Sequence, residues 1–158
     1  MLAYEATIEI DAPPEAVWRV LADVWNYPKW NSGITRVEGT AAEKAKLTIC
    51  TEVRPDKELT VSVTELTDDD RMVWEYGLPF RLFRAGRAFN ITLIDGDRTY
   101  FQTRQVFAGR LLPLFKAKIP DLEPSLQQFA RGLKFEVERQ ALHTPLSDTE
   151  TRVPNATQ

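Results

Sequence analysis

The sequence predicts an α+β protein in which seven antiparallel strands are followed by one long C-terminal helix. Three observations lead there. The N-terminal segment "LAYEATIEI" alternates apolar and polar residues with a period of two, as a half-buried strand does. Between Ile34 and Phe107, stretches rich in β-branched and aromatic residues are separated by turn signals. From Asp121 to Leu142, Leu122, Leu126, Phe129, Leu133 and Val137 recur at helical spacing on one face.

The elements follow in order. In the first strand, Tyr4, Ala6, Ile8 and Ile10 share one face against Glu5, Thr7 and Glu9. Asp11 is placed to cap a helix whose first turn tolerates Pro13 and Pro14 and whose apolar stripe is Val17, Trp18, Val20 and Leu21, ending near Asp23. Pro28 keeps Tyr27 out of regular helix, so "WNYPKWN" holds at most a short helical turn. The later strands are "ITRVEGT", "KLTICTEV", "ELTVSVTEL", "RMVWEY", "GRAFNITLI" and "RTYFQTRQVF". The hairpin turns "DDDR" and "DGDR" make neighbouring strands antiparallel, and Asp68, Asp69 and Asp70 read as turn residues rather than as spaced metal ligands. In the long helix Pro124 belongs to the first turn, while Gly132 in the middle costs about 1 kcal/mol relative to alanine and signals a close approach or a space. Residues 1–142 form one domain in this reading, and 143–158 a flexible tail. The "NAT" triplet in that tail is a chance match to a glycosylation acceptor.

Composition narrows the function classes. A chain of 158 residues buries enough surface for a core without staples. Twenty basic residues against 23 acidic ones, a net charge of -3, give no general attraction for nucleic acid. No apolar run approaches the length of a membrane span, and the N-terminus lacks a secretory pattern, so a cytoplasmic protein is expected. The single cysteine, Cys50, reads as a small buried hydrophobe, and the single histidine, His143, as an exposed tail residue. No phosphate loop, metal-ligand cluster or nucleophile–histidine pattern is visible, so neither metal nor cofactor is expected.

This element order, with "IDAPPEAVWRVLADVWNYPKWNSGI", "RMVWEYGLPFRLFRAGRAFNITLI" and "QVFAGRLLPLFKAKIPDLEPSLQQFARGLK", resembles the SRPBCC or START-like superfamily, also called birch-pollen-allergen-like, and within it the polyketide cyclase/dehydrase-like branch. The resemblance implies the helix-grip fold. In that fold a curved sheet wraps the C-terminal helix around an apolar cavity, with two short helices between the first two strands. It also implies that Trp25, Tyr27 and Trp30 pack at the cavity's end, as filler or as a gate, and not in open solvent.

Strand alternation selects Leu47, Ile49, Val61, Val63, Trp74, Tyr76, Phe89, Ile91, Phe101 and Phe107 as the face turned to the helix, where Phe129 and Leu133 would meet them. Thr103 and Gln105 fall in the same register and must bond each other, water or a ligand's polar end. Arg81, Arg84, Arg87, Arg104 and Arg110 read as a solvated face. An alternative is that "FRLFRAGR" at a sheet edge or loop borders the cavity entrance and attracts an anionic ligand or a membrane surface. Glu75, with Tyr76, is the one acid–base pair to consider, yet it lies on the face opposite Trp74.

Three functions fit these residues. The first is noncatalytic binding of a hydrophobic small molecule such as a lipid, a quinone or an aromatic polyketide in an internal cavity. The second is an aromatase/cyclase-like enzyme that works by positioning its substrate. The third is a regulatory interaction protein. A closed apolar cavity of a few hundred cubic ångströms is the expectation common to the first two.

Overall fold

A computed structural model describes residues 1–143. The expected tail and its "NAT" triplet lie outside these residues. The elements are β1 (Leu2–Ile10), α1 (Pro14–Ala22), a 3₁₀ segment (Val24–Lys29), β2 (Ile34–Glu38), β3 (Lys46–Thr51), β4 (Arg54–Thr67), β5 (Arg71–Leu78), β6 (Phe83–Asp95), β7 (Arg98–Ala108), α2 (Leu112–Phe115) and α3 (Glu123–His143). Short 3₁₀ turns at Pro79–Arg81 and Lys116–Lys118 complete the chain.

The seven strands form one antiparallel sheet in the order β1-β7-β6-β5-β4-β3-β2, so β1 closes against β7 and every other pair is adjacent in sequence. Bulges between Ile34 and Arg36, Ile49 and Thr51, and Val63 and Glu65 bend its far half. The concave face holds α3, whose Leu126, Phe129, Leu133 and Val137 join Ile10, Leu47, Val63, Met72, Phe89 and Phe101 in one core. A smaller cluster of Ala85, Phe107 and Leu112 lies at the end of the sheet covered by α2. Tyr4 and Tyr76 are half-buried and border both clusters. The long helix and the helix-grip arrangement are as the sequence predicts.

Several local expectations change. Asp11 does not cap α1: Pro13 occupies that position without a side-chain bond, and the Asp11 N–H instead donates to Glu138 Oε1 on α3 (2.9 Å). Two prolines in succession have already removed N–H groups from the first turn, so a capping oxygen has less to satisfy there. Cys50 is half-buried, because Leu47 and Ile49 take the concave face and Cys50 falls on the other. His143 ends α3 and is exposed. Of "FRLFRAGR", Phe80 to Leu82 lie in the loop between β5 and β6, as one of the two expected placements had it, while Phe83 to Arg87 begin β6, an interior strand and not a sheet edge.

Candidate functional site

Pairing places the concave-face residues in rows across the sheet. One row runs Tyr4, Gln105, Arg87, Trp74, Val63, since Tyr4 pairs with Gln105, Gln105 with Arg87, Arg87 with Trp74 and Trp74 with Val63. The next holds Ala6, Thr103, Phe89 and Met72. Arg87 therefore faces α3, between Ala85 and Phe89 on an alternating strand, and is not part of a solvated face. Its position two residues before Phe89 carried that information. Arg81 and Arg84 do face solvent, and Arg84 pairs with Glu75 on the convex side (3.2 Å).

The arginine side chain is enclosed by rings. Its guanidinium carbon lies 4.9 Å from the Phe89 ring centre and 4.6 Å from that of Phe129. Nε donates to Thr103 Oγ1 (3.2 Å), so Thr103 serves this arginine and does not bond Gln105. Nη2 is buried with no partner among the described residues, and no carboxylate pairs with the group there. Burial of the charged end brings its pKa down to about 10, with the Tyr27 hydroxyl acting in the opposite sense, so the group is still a cation at neutral pH. The residue as a whole is only half-buried, and its neighbours Tyr4 and Tyr76 are too. This middle row is therefore a seam between the two clusters.

Phe129 is the hub of the larger cluster. Its ring packs on Trp30 (5.1 Å), Tyr27 (5.4 Å), Phe89 (5.4 Å) and Phe101 (6.1 Å), and Trp74 meets Phe89 edge to face (4.9 Å). Leu133 and Ile91 are buried in the same cluster. Around these rings two further donors, Trp30 Nε1 and Trp74 Nε1, are buried without a partner among the described residues. The Tyr27 hydroxyl donates to the Leu21 carbonyl, and burial raises its pKa. The interior thus holds three unsatisfied donors within an aromatic lining.

The expected closed cavity between sheet and helix is not what the structure shows. Phe129 and Leu133 are fully buried and occupy that space. Two hollows are found elsewhere. One, of about 400 Å3, lies on the convex face beside Val73, Gly86, Ala88, Val106 and Arg104, and the other, of about 270 Å3, lies between β1 and α3 at Ala6, Ile8, Gln127 and Ala130. The aromatic trio also separates. Tyr27 is wholly buried and Trp30 packs on it at 5.2 Å, whereas Trp25 is 63% exposed and does not fill the interior. Phe107 belongs to the cluster under α2, and Tyr76 borders both clusters. Among the described residues no group of His, Cys, Asp and Glu is placed to hold a metal ion, and no helix is long and apolar enough to cross a membrane.

Residues 1–138 match the family described as polyketide cyclase / dehydrase and lipid transport. A search of curated proteins finds no match. Among solved structures, the fold is similar to a START superfamily protein from Mycobacterium smegmatis (17% identity, TM-score 0.64, covering 87% of this chain and 98% of that one). It is also similar to the Zhui aromatase/cyclase from a Streptomyces species (17%, TM-score 0.66, 89% and 95%). A third is a norcoclaurine synthase from Thalictrum (11%, TM-score 0.66, 89% and 96%). At these identities the likeness is one of fold.

Proposed function

Since the chain belongs to the polyketide cyclase / dehydrase and lipid transport family, we propose that it binds a hydrophobic small molecule on the concave face of the sheet, at the seam beside Phe129, without transforming it. The observation that carries this reading is the set of three unpartnered donors, Arg87 Nη2, Trp74 Nε1 and Trp30 Nε1, inside a ring-lined interior. A buried donor left unmade costs about 1–3 kcal/mol, and a ligand's acceptor set against these groups would offset that cost. The rings supply apolar contact, and the packed core must yield at Phe129 or Trp30 as the ligand enters.

A cyclase reading draws on the aromatase/cyclase and synthase among the structures of similar fold, and on the buried Tyr27 hydroxyl within electrostatic reach of Arg87. Against it, the Tyr27 hydroxyl is committed to the Leu21 carbonyl, and Glu75 is on the convex side with Arg84. The deciding experiment is organic extraction of the purified protein with mass spectrometry, alongside titration with a naphthalene-type probe followed by tryptophan fluorescence. Saturable binding with the ligand recovered unchanged supports a carrier or receptor. Recovery of a cyclised or condensed product supports the enzyme. Failure of every apolar probe to bind overturns both and favours a protein-interaction role.

A further inference from the structure

We propose that Arg87 anchors the head group of a hydrophobic monoanion, of carboxylate type, lying along the seam Tyr4–Gln105–Arg87–Trp74. This rests on the ligand-binding reading above and specifies its substrate class. The geometry carries it in three steps. First, the site offers donors without acceptors to match: Arg87 Nη2 and the Trp74 and Trp30 indole nitrogens are all buried N–H groups with no partner among the described residues. A ligand that satisfies them must present acceptors. A hydrocarbon cannot do this, and an alcohol or amine cannot do it fully.

Second, the anchor is charged. A guanidinium packed against two phenyl rings that touch each other, and bonded through Nε to a threonine, gains cation–π and hydrogen-bond energy, yet its positive charge has no carboxylate partner among the described residues. One buried cation calls for one negative charge. A monocarboxylate meets that need and fits the planar fork of the guanidinium, whereas a phosphate dianion would bring one charge more than Arg87 balances against the Phe89 and Phe129 rings.

Third, the anchor is reachable. Gln105, which pairs with Arg87 in register, makes no side-chain hydrogen bond among the described residues, and its amide is free to donate to the second carboxylate oxygen. Tyr4 at the end of this row and Tyr76 in the next are half-buried, which leaves an approach between the two clusters. The body of the ligand would lie against Trp74, Phe89 and Phe129, the rings nearest the guanidinium.

The test compares 1-naphthoate with its neutral amide at pH 7 by calorimetry, on the full chain and on the variants Arg87→Met and Arg87→Lys, with thermal midpoints recorded for each. The expected result is at least tenfold tighter binding of naphthoate than of the amide. Arg87→Met should abolish that preference while amide binding is kept, and Arg87→Lys should keep part of it. The lysine variant preserves the charge, so it remains informative should the methionine variant fold poorly. Equal binding of the two probes overturns the anionic head group but leaves the hydrophobic-ligand reading standing. A naphthoate preference that survives in Arg87→Met places the anion elsewhere and also overturns the proposal. If neither probe binds the wild-type chain, the ligand-binding reading itself fails, and this inference with it.

Discussion

Gly132, in the middle of α3, lies against the backbone carbonyl of Asn31: a β-carbon added at residue 132 would fall 2.2 Å from that oxygen and 3.1 Å from the Trp30 ring. Helix propensity alone favours alanine here by about 1 kcal/mol. The contact reverses the sign, because the neighbouring atom is backbone and the helix or the 30–31 segment must move. Gly132→Ala is expected to destabilise the protein by roughly 1–3 kcal/mol, lowering the thermal midpoint by several degrees. A midpoint equal to or above that of the wild type would show that helix and loop separate at no cost.

The glycine was visible in the sequence as an anomaly, while its partner was not, since Asn31 is brought to α3 only by the tertiary fold. The same division runs through the whole reading. Period-two patterns placed the strands, and the stripe Val17, Trp18, Val20 and Leu21 is buried as predicted. Arg87 reads as solvated, or as bordering a cavity entrance, when charge is weighed above register, although Ala85 and Phe89 on either side fix the direction of its side chain. Trp25 was grouped with Tyr27 and Trp30 because three rings stand close in sequence. In a 3₁₀ segment residues three apart share a side, which brings Tyr27 and Trp30 together and turns Trp25 away. The four residues of α2 are too few to show a period. The filled interior was not legible at all, because a pattern of apolar residues reports which side chains face inward and not whether their volumes leave room.

Thr103 and Arg87 form a pair whose members should not contribute independently. Thr103→Val removes the acceptor of Arg87 Nε and leaves a second guanidinium donor unmet in the core, at an expected cost of about 1–3 kcal/mol. Arg87→Met fills similar space with apolar atoms, and removing an uncompensated buried cation should leave stability unchanged or raised. In the double variant the Thr103→Val penalty should largely vanish. Denaturant unfolding of the four proteins in the cycle measures this coupling. Additive effects would show that the hydrogen bond contributes little and that Thr103 matters through its packing alone.

Tyr27 predicts an alkaline dependence. Burial raises its pKa above 10.0, so the folded protein keeps the phenol proton at pH values where the unfolded chain releases it. Its contribution to stability is full below pH 10 and is lost as pH rises beyond it. Arg87 acts oppositely above about pH 10, where the unfolded chain still binds the proton that the folded one releases. The two effects overlap in wild type, and Tyr27→Phe separates them. At pH 7 that variant should be less stable by about 1–3 kcal/mol through the stranded Leu21 carbonyl, and the gap should narrow as pH is taken above 10. Ultraviolet titration should also show one tyrosine that ionises only when the fold is lost. A gap that is constant with pH, or four tyrosines that titrate in the folded state, would contradict the buried, proton-holding phenol.

Trp25 and Trp30 stand five residues apart and should respond differently to the same truncation. Trp25 is 63% exposed and takes part in no ring pair, so Trp25→Ala should change stability by no more than about 0.5 kcal/mol and leave probe binding intact. Trp30 packs on Tyr27 at 5.2 Å and on Phe129 at 5.1 Å, and its loss opens space beside the hub of the core. Trp30→Ala should cost about 2–4 kcal/mol, less than a fully buried tryptophan because one side already meets solvent. Its effect on binding is the more telling readout. If Phe129 and Trp30 are what must yield for a ligand to enter, the variant should bind a bulky apolar probe faster than wild type in stopped-flow fluorescence, in spite of its lower stability. An association rate unchanged in Trp30→Ala, together with a slowed one in Trp25→Ala, would move the point of entry to the outer ring and away from the Tyr27–Trp30–Phe129 contact.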